Sequence, residues 1–404
     1  MRALAVAAAL SAPFGGSVSQ LNVAPDGAAW VMEANGNRQR ALRITPDGAV
    51  RATTLETYAA TTTIGADGQL WFIDYQNTLH RIDAGGTVTR VRDGDGDQAQ
   101  RDVPSSLVSG PDGALWTMTR GRRPALLRFT TDGPAQQTPL ELSACDTPLD
   151  LGDLTRATDG AVWASDAGCD RLVRIAPTSE ARTVVLPPVL GVHGLAADAT
   201  GGIWFGASTS LGGHVDADGR MTFLPPRPFD SSREPTAIAV APDGRPWFAT
   251  GSCRLLRVNA AGGVESRRAP IPARELAFDA GGGLWLASER RVARGDAPTD
   301  DCDDRPPAAR IRVDGTIRRG VRVTVDEDAR GSATLALLPG GRSRHARLGP
   351  DRQFRIRGAR GGTLRLKTPR RWHIERGDVI HVGVYLRDED DNEDMRYAEF
   401  RVTR

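Results

Sequence analysis

Short alternating runs of apolar and polar residues fill the first three quarters of this chain, a pattern that suits strands with one face buried rather than helices. The first runs set a grammar. Val18–Ala24 reads as a strand, and Pro25-Asp26-Gly27 as a tight turn in which Pro presets φ and Gly accepts a positive one. Ala28–Glu33 follows as a second strand carrying Trp30. Ala41–Thr45 and Val50–Thr54 then form a hairpin around Pro46-Asp47-Gly48. The turn returns as Ala66-Asp67-Gly68, Pro111-Asp112-Gly113, Thr158-Asp159-Gly160 and Pro242-Asp243-Gly244. Third and fourth strands return as well, in Leu79–Arg92, Leu126–Leu140, Leu172–Leu186, Gly213–Leu224 and Leu255–Arg268.

The period is fixed by Gly-x-x-Trp, which occurs at Trp30, Trp71, Trp116, Trp163, Trp204, Trp247 and Trp285, with successive indoles 38 to 47 residues apart. Repeats of this length are four-stranded blades of a radial β-architecture. The fold class is therefore all-β: a seven-bladed β-propeller over residues 1–299, with one indole filling each gap between blades. In the seventh repeat the third strand is Arg291–Gly295 and no fourth strand follows, which would leave an unpaired edge. The N-terminal run Arg2–Ala8 can close the ring. Residues 1–12 read equally as a short signal segment. Both readings stand, and an upstream start would reconcile them.

From Pro306 the period and the indole signature stop. About seven short strands separated by Gly and Pro turns, with Trp372 among them, fit an immunoglobulin-like or fibronectin-like β-sandwich over residues 308–404. Residues 300–307, rich in Asp, form an acidic linker.

Composition refines this picture. The chain has 404 residues, with 45 Gly and 26 Pro, a turn-rich content spread along its length. The net charge of +2 conceals an asymmetry: residues 306–404 hold 22 Lys+Arg and 14 Asp+Glu, and the rest hold 30 and 36. The basic residues scatter among acids, so no nucleic-acid face is expected, and no run reaches the ~18–20 apolar residues of a membrane span. Four Cys, none in a CxxC pair, point to disulfides and an extracellular or cell-envelope location. Cys145 and Cys169 fall on the same face of one blade and are expected to bridge. By elimination Cys253 would pair with Cys302, although simple topology puts those two on opposite faces unless the tail wraps around.

The phrases Pro111-Asp112-Gly113-Ala114-Leu115-Trp116 and Gly202-Ile203-Trp204-Phe205, with hairpins such as Leu42-Arg43-Ile44-Thr45-Pro46-Asp47-Gly48, resemble the streptogramin B lyase (virginiamycin B lyase) family over about residues 1–298. The resemblance implies Mg²⁺-assisted elimination that opens a cyclic depsipeptide ester. It also implies His residues at the start of the inner strands of the last two blades, and a metal-binding Glu just past the Trp. Such chemistry needs a base to take a proton α to a carbonyl and a hard cation for the forming enolate. Glu289 stands at the expected place. However, Glu234-Pro235-Thr236 has Thr where a His would stand, and Ala273-Arg274-Glu275-Leu276 has Arg or Glu. His193 lies one blade early.

Other candidates are acidic. Residues three past each Trp include Glu33, Asp74 and Asp166, which with Glu289 could hold Mg²⁺ or Ca²⁺ at the pore mouth, against a plain polar rim. Asp93-Gly94-Asp95-Gly96-Asp97 and the tip containing Asp388, Asp390 and Asp391 could take Ca²⁺ or be solvated acidic loops. His193 and His214 share a blade. The leading expectation is an exported, monomeric propeller binding a small molecule, glycan or protein through the loops between blades (Asp93–Pro104, Leu142–Leu154 and Pro225–Pro235). The alternative is a metal-assisted lyase or lactone hydrolase using His193 and Glu289 with some of Glu33, Asp74 and Asp166.

Overall fold

The computed structural model describes residues 15–93, 106–110, 112–119, 124–130, 135–140, 142, 151–177, 180–187, 191–207, 211–224, 235–296, 302, 309–313, 321–325, 329–338, 347–348, 352–356, 362–369, 372–387 and 393–402. Among these the fold is all-β, with one three-residue 3-10 turn at Ala167–Cys169. The chain divides into two compact units, 1–302 and 303–404.

Among the described residues, the first unit contains six antiparallel sheets of four strands and one of three, each built from consecutive strands. They are numbered here in chain order: sheet 1 (17–54), sheet 2 (59–92), sheet 3 (108–139), sheet 4 (151–185), sheet 5 (192–223), sheet 6 (237–273) and sheet 7 (275–294). The first strand of each sheet touches the first strand of the next, and that of sheet 7, Glu275–Phe278, touches that of sheet 1, Ser17–Val23.

Each indole packs against the following sheet. Trp30 lies with Leu70, Phe72 and Ile82 of sheet 2. Trp71 lies with Leu115 and Phe129 of sheet 3, and Trp116 with Val162 and Val173 of sheet 4. Trp163 meets Ile203 and Phe205 of sheet 5, and Trp204 meets Ile238 and Phe248 of sheet 6. Trp247 meets Leu276 and Leu286 of sheet 7, and Trp285 returns to Ala29, Val31 and Leu42 of sheet 1. A small residue is required beside the ring: a Cβ on Gly110 would lie 2.1 Å from Trp116 Nε1.

The far edge of each indole is held by charge. The third-strand residue paired across from Trp is Arg43, Arg81, Arg128, Arg174, His214, Arg257 or Arg294 in sheets 1 to 7. Each meets an aspartate of the turn between its sheet's first two strands, the six arginines as ion pairs with Asp26, Asp67, Asp112, Asp159, Asp243 and Asp279, and His214 through Nε2 at 2.6 Å from Asp198. Four of these guanidinium groups sit 4.9 to 6.0 Å from their indole centroid, within cation–π range. The partly exposed pairs each contribute about 1 kcal/mol or less. Their regularity matters more, because each fixes one indole's orientation.

Sheet 7 has three strands among the described residues, and its exit is fastened covalently. Cys302 is bonded to Cys253, on the third strand of sheet 6 (Ser252–Val258), and its carbonyl accepts Arg268 Nη2 at 2.9 Å. The closed loop of chain contains the whole of sheet 7. Cys169 is also in a disulfide. Cys145 lies outside the described residues, as do residues 1–14, where a closing strand or signal segment was expected.

In the second unit, Ala309–Val313, Val321–Val325 and Gly362–Leu366 form one sheet. Ala329–Leu338, Arg347–Leu348, Arg352–Ile356, Val379–Arg387 and Glu393–Arg401 form another. Alternating residues of both, including Val321, Val323, Leu335, Leu337, Val382 and Val384, share one apolar core with Trp372.

Closing a loop of 49 residues stabilises the folded state by about 4 kcal/mol through the unfolded chain's lost entropy. Cys253→Ser is therefore expected to lower unfolding free energy by roughly that amount, measured by urea denaturation under non-reducing conditions. Equal stability with and without the bond would contradict this role.

Candidate functional site

The first strands of sheets 6, 7 and 1 bring the first group of polar side chains together. Thr236 and Arg274 each stand one residue before the first strand of their sheets. Their N–H groups donate to Ala249 O and Ala287 O, both at 2.8 Å, so the two residues occupy equivalent places. Thr236 Oγ1 donates to Arg274 O at 2.7 Å. The Arg274 guanidinium lies 4.0 Å from a carboxylate oxygen of Glu289, and the Glu289 carbonyl accepts the Val18 N–H at 2.6 Å across the junction of sheets 7 and 1. Arg274, not Glu275, is thus the counterpart of Thr236.

Glu275 has another task. The strand Ser17–Val23 shifts register between Ser19 and Asn22, and Gln20 has φ +60°. Such a bulge turns N–H groups away from the ladder. Those of Gln20 and Leu21 donate to the Glu275 carboxylate at 3.0 and 2.5 Å. Burial pushes the Glu275 carboxyl above its usual range even with these donors. The same device recurs between sheets 4 and 5, where the Gly194 N–H, at the register shift between His193 and Leu195, donates to Asp153 Oδ2 at 2.7 Å.

The carboxylates three residues past the indoles are buried. Glu33 accepts Arg40 Nε at 2.7 Å and the Gly16 N–H at 3.2 Å. Asp166 accepts Arg171 Nε at 2.7 Å. Asp74 Oδ1 accepts the N–H groups of Gln76 and Thr78, both at 2.9 Å, and Oδ2 lies 3.0 Å from His80 Nε2. Each is therefore matched by a base of its own sheet. Among the described residues no three His, Cys, Asp or Glu side chains gather as a metal would need. The Mg²⁺ implied by the resemblance does not fit here, because a permanently charged guanidinium stands beside Glu289 and the other carboxylates are engaged.

His193 lies in the first strand of sheet 5, opposite Gly206 and two sheets from Glu289; its side chain is outside the described residues, as are Asp95, Asp97, Asp388, Asp390 and Asp391.

The second place is a cleft of about 610 Å³ between the segment Thr54–Thr57 and sheet 2, reached by Asp74, His80 and Arg90. His80 stacks on Phe72 with ring centroids 4.5 Å apart. Sequence reasoning passed over His80. The signal was available in the register: the corresponding residues of sheets 1 and 4, Leu42 and Val173, are apolar and fully buried.

The sequence profile of the Virginiamycin B lyase family matches residues 1–294. A virginiamycin B lyase of Nocardia farcinica is 29% identical over 202 residues, a stretch covering 49% of this chain and 66% of that protein. A catalytically inactive histidine-to-alanine variant of the Staphylococcus aureus virginiamycin B lyase, solved with quinupristin, has 23% identity and a TM-score of 0.57 over 70% of this chain and 95% of its own. The extracellular domain of a putative one component system from B. thetaiotaomicron, at 13% identity and a TM-score of 0.52, covers 96% of this chain and 56% of its own.

A raised folded-state value means Glu275 binds its proton more tightly in the folded protein. Its contribution is complete below the usual glutamate value of 4.5 and is lost as pH rises through the folded value. Glu275→Gln should therefore gain stability relative to wild type as pH rises from acid to neutral, in urea titrations at successive pH values. A difference that stays flat with pH would refute the shift.

Proposed function

The chain belongs to the virginiamycin B lyase family, and on that footing we propose that it binds a ligand on its loop-bearing face without performing the lyase reaction. In this reading the seven sheets of the first unit are the blades of one seven-bladed propeller, and the second unit is an immunoglobulin-like sandwich acting as spacer or anchor. The protein works outside the cell or in its envelope, as a monomer, on a small molecule, glycan or protein. The disulfides and the extracellular domain among its structural neighbours support that location. No helix among the described residues is long and apolar enough to cross a membrane.

One observation carries the loss of chemistry: the Arg274 guanidinium, 4.0 Å from Glu289, at the strand start where the family resemblance implies a base. Proton abstraction α to a carbonyl needs a group that is unprotonated near pH 7 and can accept a proton. Arginine stays protonated. Its counterpart Thr236 offers a hydroxyl already donating to the Arg274 carbonyl. A guanidinium also opposes a divalent cation at Glu289 by like-charge repulsion.

Quinupristin with Mg²⁺ is the direct test. Ring opening by elimination leaves the mass unchanged, so it is followed by chromatographic retention. The expected result is intact quinupristin after an incubation in which the Staphylococcus aureus lyase consumes it fully. Turnover that depends on Mg²⁺ and on Glu289 would overturn the proposal.

A further inference from the structure

The cleft beside sheet 2 follows from one departure in the repeat. In sheets 1 and 4 the carboxylate three residues past the indole faces an arginine in register, Glu33 opposite Arg40 and Asp166 opposite Arg171. In sheet 2 that place belongs to Thr78, whose N–H donates to Asp74 Oδ1 and whose carbonyl accepts the Asp74 N–H. His80 meets the charge of Asp74 instead. A hydroxyl and a flat ring fill less space than a guanidinium on its stem. About 610 Å³ stays open, within the range of small-molecule sites.

Both sides of the cleft are held in place. The Gln39 carbonyl accepts the Leu55 N–H at 3.0 Å, and the Gln39 side-chain oxygen accepts the Ala59 N–H at 2.7 Å. Tyr58 donates its hydroxyl proton to the Gly36 carbonyl. On the other side, Asp74 and the stacked Phe72 fix the His80 ring. Such preorganisation lowers the entropic cost of binding.

Glu56 on one side and Arg90 on the other carry opposite charges, while the Asp74 carboxylate between them is engaged by backbone N–H groups and His80. Glu56 lies exposed on the connecting segment, without a hydrogen-bond or ion-pair partner among the described residues. Arg90, paired in register with His80, commits Nε to Asp93 at 2.6 Å, and its two terminal nitrogens meet no hydrogen-bond partner among the described residues. Asp74 occupies His80 Nε2, so Nδ1 is the ring's remaining polar atom. The exposed Val88 adds apolar surface, and the buried Leu55 lines the wall.

We propose that this cleft binds a zwitterion, a short peptide with free termini, whose ammonium meets Glu56 and whose carboxylate meets Arg90. A simple cation would face Arg90, and a simple anion would face Glu56. Only a molecule carrying both charges satisfies the two sides together. The proposal deepens the binding role above and rests on it.

Calorimetry on the full chain at low salt tests it with the dipeptide Ala-Leu, its N-acetyl form and its C-terminal amide. The variants are Glu56→Gln and Arg90→Gln, both at exposed side chains, with thermal melts to establish that each is folded. The expected result is saturable binding of Ala-Leu, weakened about tenfold or more by either cap and by either variant, as for loss of one charge-assisted contact. No saturable binding, equal binding of the capped forms, or indifference to both substitutions would overturn it. Those outcomes leave the quinupristin result untouched, so the two readings fail separately.

Discussion

A small antiparallel sheet cannot bury both faces alone, and in this protein the indole between neighbouring sheets resolves that constraint. Each of the seven sits in a different gap, including the one from sheet 7 back to sheet 1. Its position is fixed twice, by the apolar face of the next sheet and by a third-strand arginine or, at Trp204, His214, anchored to a turn aspartate. Turn, second strand and third strand are thereby locked to one geometry, and the spacing of everything at the strand ends follows from it.

That geometry explains why the acidic residues three positions past the indoles are engaged within their own sheets. A side chain three residues past the indole is carried into the packed region between sheets. A carboxylate there must be matched within its own sheet, and Arg40, His80 and Arg171 do this. At the first strands of sheets 7 and 4 the acids serve a different need. Bulges free backbone N–H groups, and Glu275 and Asp153 accept them across a sheet boundary. Charge at these two places thus serves to assemble the unit. Glu56 and Arg90, which face the cleft beside sheet 2, stand outside this pattern.

The blade grammar was legible because it is local: a turn with Asp and Gly, then an indole at fixed spacing. Asp198 and Asp279 escaped that reading. They sit six residues before their Trp instead of four, yet each still reaches its third-strand partner. The Cys253–Cys302 bond depends on the path taken after the last sheet, and nothing in the spacing encodes that path. The ambiguity between Arg274 and Glu275 was one residue wide. In a strand a single step reverses the face, so only the matching backbone bonds of Thr236 and Arg274 resolve it. His80 was visible as a polar residue at an otherwise apolar place, but recognising it required the register of three sheets.

The account turns on what stands beside Glu289. A crystal structure of the protein grown in excess Mg²⁺ examines this directly. The account predicts the Arg274 guanidinium next to the Glu289 carboxylate, with no ion between the carboxylate and the strand starts of sheets 6 and 7. A hydrated Mg²⁺ bound by Glu289, with Arg274 turned away, would contradict it.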